Sequence, residues 1–349
     1  VDVSNLVSGG VGHNVLIGQN ILSSDYTGTD ATNPDTGYGH VMIGTRIGEA
    51  YMTNNKDCVL IGYENSVYAG NMDNVISIGA KATNGDKTRA TVEANPNLAP
   101  SSGVVIGLVA YFDGLVNGSE RFVGIGNNVG QEQTRAFETV YIGDRSGRYL
   151  GDTLYNVAVG MGSMGGVTDS GATSTIHNVG IGWYCLGAMQ DGTQNVVVGS
   201  NAGRGVTQGG RNVLIGHGAG SDLSTAAGAA GANALTIGDH CTLIGNETEV
   251  SGSNAQYQVA IGSGAAATKD NQTVIGDTGR DHEVLINGYT KTKVFATADL
   301  PSAATAGAGA RAFVSDSDTA AASNFGGTFA GGGSNNVPVY SDGTDWRIG

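Results

Sequence analysis

Asn195-Val196-Val197-Val198-Gly199 returns seventeen residues later as Asn212-Val213-Leu214-Ile215-Gly216. The reading of this pentapeptide decides the fold. Its core, a β-branched or aliphatic residue, any residue, Ile or Val, then Gly, occurs fifteen times between Gly18 and Gly276. Six of the fourteen gaps between those glycines are 17 residues, and several others read as 17 plus an insertion. Gly238 and Gly245 stand only 7 apart. The residues two before and one before the Ile or Val behave differently. The farther is Val, Ile, Leu or Thr in every copy, while the one between them is loose: Leu16, Met42, Ser77, Gly124, Tyr141, Ala158. Side chains that alternate between two faces belong to a strand. Positions i and i+2 share no face of a helix.

The pattern therefore predicts an all-β chain, a β-solenoid or β-roll of coils of about 17 residues. Each coil would hold two strands of about five residues and two turns, with Gly at a tight corner. The uniform pair is expected to point into the coil, and the looser middle residue outward. Small residues three places after the Gly, such as Ala82, Ala202, Ala219 and Ala265, suit a cramped second layer. Asn14, Asn156, Asn178, Asn195 and Asn212 precede the aliphatic pair and are expected to stack as an amide ladder. One coil buries too little to offset its own ordering entropy, so stability must come from stacking.

Composition agrees with a folded repeat. Gly supplies 59 of 349 residues, and charged residues are only 14%, yet apolar residues hold 40%. A Gly-rich disordered chain is poor in Val and Ile. The Gly lacks the every-third-residue period of collagen. A formal charge of −14 argues against nucleic-acid or anionic-membrane binding. No run of 18 apolar residues predicts membrane insertion. Cys58, Cys185 and Cys241 fit no metal spacing and read as small buried thiols. The chain opens on Val1-Asp2-Val3, so its start reads as processed or trimmed, with room for an attachment segment upstream.

The repeat occupies 1–280, with insertions at 23–39 and 81–103. A connector at 281–298 follows, and then a β-module at 299–349. In that module Asp342-Gly343 marks a hairpin turn between Val337-Pro338-Val339-Tyr340 and Trp346-Arg347-Ile348. Aromatic residues gather there, at Phe313, Phe325, Phe329, Tyr340 and Trp346.

Chemistry is sparse. His13, His40 and His177 lie at or just before the repeat strand, where a ring could form on a shared axis, but no His-x-His pair occurs. Asp25, Asp30, Asp35, Asp86 and Glu93 sit in the insertions, and no spacing singles out an acid pair. Gly160-Met161-Gly162-Ser163 lacks the strand-to-helix context of a nucleotide loop. The residues imply no cofactor, no metal and no catalysis.

An apolar ladder on the outside of a thin coil would make a long adhesive stripe, and association about a common axis would bury it. The Asn-Val-x-Ile-Gly repeats resemble the Gly-rich repeats of phage tail-fibre proteins and are similar to the heads of trimeric autotransporter adhesins. The ending resembles phage tail-fibre C-termini in two segments, Gly309-Ala310-Arg311-Ala312-Phe313-Val314-Ser315-Asp316 and Val337-Pro338-Val339-Tyr340-Ser341-Asp342-Gly343-Thr344-Asp345-Trp346-Arg347-Ile348-Gly349. The resemblance implies a homotrimeric virion fibre, extracellular on the tail, joined to other tail or baseplate proteins on its N-terminal side. It would present a surface for a host polysaccharide or outer-membrane receptor, with Tyr340 and Trp346 expected at the contact. The rival readings are a polysaccharide depolymerase tailspike and a bacterial adhesin head.

Overall fold

The computed structural model describes residues 15–21, 39–47, 57–65, 74–82, 102–108, 121–131, 133, 135–165, 174–221, 234–277, 279 and 283–349. The chain forms two compact units, Val1–His282 and Glu283–Gly349. The insertion acids and His13 lie outside the described residues.

In the first unit the repeat strands are β1 (Val15–Gln19), β2 (Val41–Thr45), β3 (Val59–Tyr63), β4 (Ile76–Ile78), β5 (Val104–Ile106), β6 (Val123–Ile125), β8 (Val140–Ile142), β10 (Val157–Val159), β12 (Val179–Ile181), β13 (Val196–Val198), β14 (Val213–Ile215), β15 (Thr242–Ile244), β16 (Val259–Ile261) and β17 (Thr273–Ile275). They form one fourteen-stranded sheet in chain order. Every pairing is parallel and joins equivalent repeat positions, as Val196, Val197 and Val198 pair with Val213, Leu214 and Ile215. This is the parallel β-solenoid that the period predicts.

A second wall is thinner. β7 (Arg135–Phe137), β9 (Asp152–Leu154) and β11 (Ser174–Ile176) make a three-stranded parallel sheet. Single bridges such as Ile176 to Thr193 and Thr193 to Gly210 extend it. From β4 onward each repeat strand has three residues rather than the five expected. Two corners cut it short. On one side stands a left-handed residue, Gln194 at φ 58° and Arg211 at φ 57° in the clearest copies. On the other stands the repeat glycine, with φ 141° at Gly199. A Cβ there would lie 2.2 Å from the carbonyl oxygen of Gly216 in the next coil. Only Gly permits both that dihedral and that approach.

The faces are the reverse of those the sequence suggests. The loose middle residue points into the coil: Met42, Leu60, Ser77, Val105, Tyr141, Ala158, Val197, Leu214, Leu243 and Ala260 are all fully buried. The uniform β-branched pair points out, half-buried or exposed in every repeat strand. Interior packing explains the looseness. Where the strand offers Gly180, the space over its Cα is taken by Met164, Ser163 and Leu186. Where it offers Tyr141, the opposing corner is Gly147, whose added Cβ would meet the ring at 2.7 Å. At both places a large neighbour fills the space that a small residue leaves.

One of the fifteen copies of the motif, the twelfth along the chain, is not a repeat strand. Thr236 and Ile237 lie in the corner stack between neighbouring coils, where Thr207 N–H donates to Thr236 O (2.9 Å) and Thr236 N–H donates to Ser253 O (3.0 Å). Seven residues cannot close a coil, so Gly216 is followed in the sheet by Gly245.

The asparagine ladder forms from Asn156 through Asn178 and Asn195 to Asn212, while Asn14 lies outside the described residues. Asn195 N–H donates to Asn178 Oδ1 (3.0 Å), and Asn212 N–H donates to Asn195 Oδ1 (3.1 Å). The Nδ2 groups donate onward, from Asn195 to Gly209 O (2.8 Å) and from Asn212 to Gly238 O (2.9 Å). At the top, Cys241 N–H donates to Asn212 Oδ1 (2.9 Å), so a thiol ends the amide run. Each buried amide thus serves the backbone of the next coil, which offsets the cost of burying it. All three cysteines are buried thiols outside any disulfide. Burial pushes the Cys185 thiol up to about 12, far from the thiolate form that reacts.

The second unit is a four-stranded sheet in the order β18 (Val294–Phe295), β19 (Arg311–Ser317), β20 (Asn335–Ser341) and β21 (Trp346–Ile348). β18 runs parallel to β19, and the other pairs are antiparallel. Ala312, Val314, Val337 and Val339 fill one face, with Leu300, Phe329 and Trp346 packed against them. A single four-residue helix, α1 (Ala303–Ala306), starts on Ser302, whose Oγ accepts from Thr305 N–H (3.1 Å). Among the described residues no helix is long and apolar enough to cross a membrane.

Candidate functional site: an outward aliphatic ladder and a C-terminal aromatic cleft

Two surfaces stand out, one on each unit. On the first unit the outward pair forms two columns, Val196, Val213 and Val259 in one, and Ile181, Ile215, Ile244 and Ile261 in the other. Val196 is 42% exposed and Ile215 39%. The exposed Trp183, Met161, Leu108 and Tyr63 follow the repeat glycines along one edge. The outward positions stay β-branched from strand to strand, while the interior tolerates anything from Gly to Tyr.

The corners beside this ladder also carry polar side chains. Tyr155 and His177 stack at 4.8 Å, and His240 and Tyr257 at 4.7 Å. Arg121 pairs with Glu138 at 2.9 Å, and Glu64 is held between Arg46 and Lys81. His40 is buried inside the coil, its Nδ1 accepting from Cys58 N–H (3.3 Å), so it does not face a shared axis. Among the described residues no three His, Cys, Asp or Glu side chains gather as metal ligands.

On the second unit, the Asp342-Gly343 hairpin forms as expected. Its four-residue loop is closed by Asp342 Oδ1, which accepts from Thr344 N–H (2.8 Å) and Asp345 N–H (2.7 Å). Those backbone bonds, followed by Arg347, hold the Asp342 carboxyl at about 2. Thr297 bonds Asp316 and Ala330 N–H bonds Asp318, lowering those carboxyls as well. A depressed folded value stabilises the hairpin above the ordinary carboxylate range, and that contribution is lost as pH falls from about 4 toward 2. In an NMR titration the Trp346 indole N–H resonance should shift in this window. Asp342→Asn should flatten its part of the profile.

The two rings singled out in the sequence are not equivalent. Trp346 packs against the module's own core, and its Nε1–H donates to Pro301 O (2.7 Å). It ties the hairpin to the segment before α1. Tyr340 lies on the opposite face. It sits across from Arg311 on β19 and stacks on Phe325 at 6.1 Å. There it lines a cleft of about 580 Å³ with Arg311, Phe313, Phe325, Pro338 and Thr292. Phe325 is 80% exposed. The sequence could not place this cleft, since its walls come from segments up to about sixty residues apart, Thr290 to Gly349. No protein-family model matches the chain, and no curated protein or solved structure matches it either.

Proposed function

We propose that the chain is the shaft and tip of a homotrimeric phage tail fibre, a structural virion protein without enzymatic activity. The aliphatic ladder carries the reading. Fourteen strands with two outward side chains each expose on the order of 1,500 Å², against the ~800 Å² that each partner buries in a standard interface. Three copies meeting along one axis would bury the ladder of each and leave the polar corners wet. The number three comes from the resemblance of the Asn-Val-x-Ile-Gly repeats and the C-terminal segments to trimeric fibres. Functionally the coils serve as a stiff spacer. The insertions and the C-terminal unit hold three copies of a weak host-receptor site, for a cell-surface glycan, so that they bind as one multivalent unit.

Light scattering on the full chain tests the reading. The expected mass is about three times 35.2 kDa, resistant to detergent until heated. A monomer at micromolar concentration would sink it.

A further inference from the structure

The second unit leaves an apolar arm and an apolar cleft both uncovered. The arm is the segment 284–289, which enters β18 through Thr290 and Thr292. Leu285 is 76% exposed and Tyr289 90%, with Val284 and Ile286 above half. The arm bends at Asn287, where Gly288 N–H donates to Ile286 O (3.0 Å). It has no strand partner in its own unit. The cleft lies on the sheet face away from the core, walled by Phe313, Pro338, Tyr340 and Phe325. Its own arm does not fill it: Thr290 and Thr292 form part of the rim, and the apolar residues just upstream stay in solvent.

We infer that the arm 284–289 of one copy occupies the aromatic cleft of a neighbouring copy, making the C-terminal unit an arm-exchange clasp separate from the shaft ladder. Three observations support this occupant over any other. Arm and cleft are both apolar, and each lacks the burial that the other supplies. Together the arm, Val294, Phe313 and Phe325 expose on the order of 800 Å², so each arm-in-cleft contact would add about half the two-sided ~1,600 Å² of a standard interface to the shaft contact. Charge also matches: Glu283 immediately precedes the arm, Arg311 lines the cleft, and neither makes an ion pair among the described residues. Such a pair is worth little in water, but it sets the direction in which the arm lies. The inference rests on the copies associating as proposed above, and it assigns Tyr340 to assembly rather than to a receptor.

The test uses the full chain. Leu285→Cys and Phe325→Cys are made in separately tagged copies, co-expressed and mildly oxidised. Both residues are exposed, and the native cysteines are buried. The expected product is a heterotypic disulfide on a non-reducing denaturing gel. A mass near the trimer without that product overturns the clasp and leaves the fibre reading standing. A monomeric mass without it overturns both. A second measurement needs no substitution. Backbone amides of 284–289 in the unaltered chain should exchange at least tenfold more slowly than in the isolated peptide. Peptide-like exchange there overturns the clasp and leaves the cleft open to a saccharide.

Discussion

Ile215→Asp should dissociate the proposed trimer without unfolding the coil, while Leu214→Asp, one residue earlier, should unfold it. The contrast follows from which way each side chain points. Leu214 is fully buried and packs with Val197, Leu243 and Gly220. A carboxylate there has no partner, and an unpaired buried charge costs several kcal/mol. Even Leu214→Ala should cost about 2–5 kcal/mol through the lost packing and the cavity. Ile215 already meets solvent in the single chain, so aspartate at that position is neutral to the coil. In the assembly it would place three like charges within one apolar layer. Light scattering should show the mass falling from about three times 35.2 kDa toward one, with the far-ultraviolet circular dichroism unchanged. An unaltered mass for Ile215→Asp would mean that the ladder is not the interface.

Gly199→Ala should be among the most damaging single-methyl changes in the shaft. The residue sits at φ 141°, outside the range an alanine adopts, and its Cβ would lie 2.2 Å from Gly216 O and 2.6 Å from Gly216 C. These are backbone atoms of the next coil and cannot rotate away. Dihedral strain of about 1–3 kcal/mol and overpacking of about 1–3 kcal/mol add to roughly 2–6 kcal/mol. The same collision recurs at Gly182 against Gly199 and at Gly216 against Gly245, so relief in one coil transfers the strain to the next. Chemical denaturation should show the loss as a lower midpoint. Ser200→Ala, one residue along, should change it by less than about 0.5 kcal/mol. A Gly199→Ala midpoint within that margin would refute the corner geometry.

Strand positions, parallel stacking, the glycine corners, the amide ladder and the terminal hairpin were all legible in the sequence, because each depends on residues close in the chain or on a fixed period. The orientation of the strands was not. Alternation separates two faces but does not say which is inside. Uniform Val and Ile suggested a core. Yet the interior of a thin coil is shared with the corner and second-wall side chains, so Gly180 works beside Met164 and Tyr141 works beside Gly147. The outward columns instead meet only copies of themselves along the stack, and that repetition keeps them alike. Ile237-Gly238 matched the motif but stood too close to Gly245 to complete a coil. Tyr340 and Trp346 looked alike as aromatic residues of one hairpin. Trp346 pairs opposite Ser341 and Tyr340 opposite Arg347, so the β20–β21 register sends Trp346 to the core face and Tyr340 to the cleft.

The in-register parallel sheet also gives the shaft a graduated length. Each complete coil of about 17 residues advances the stack by one strand spacing, ~4.8 Å, and meets its neighbours through the same glycine, amide and aliphatic contacts. Duplication or loss of a whole coil therefore lengthens or shortens the rod by one graduation while leaving its cross-section, its internal ladders and its outward columns unchanged. Gain of a partial coil would shift every later residue out of step. The length of the stack is in this way a quantity that the gene can adjust in whole units.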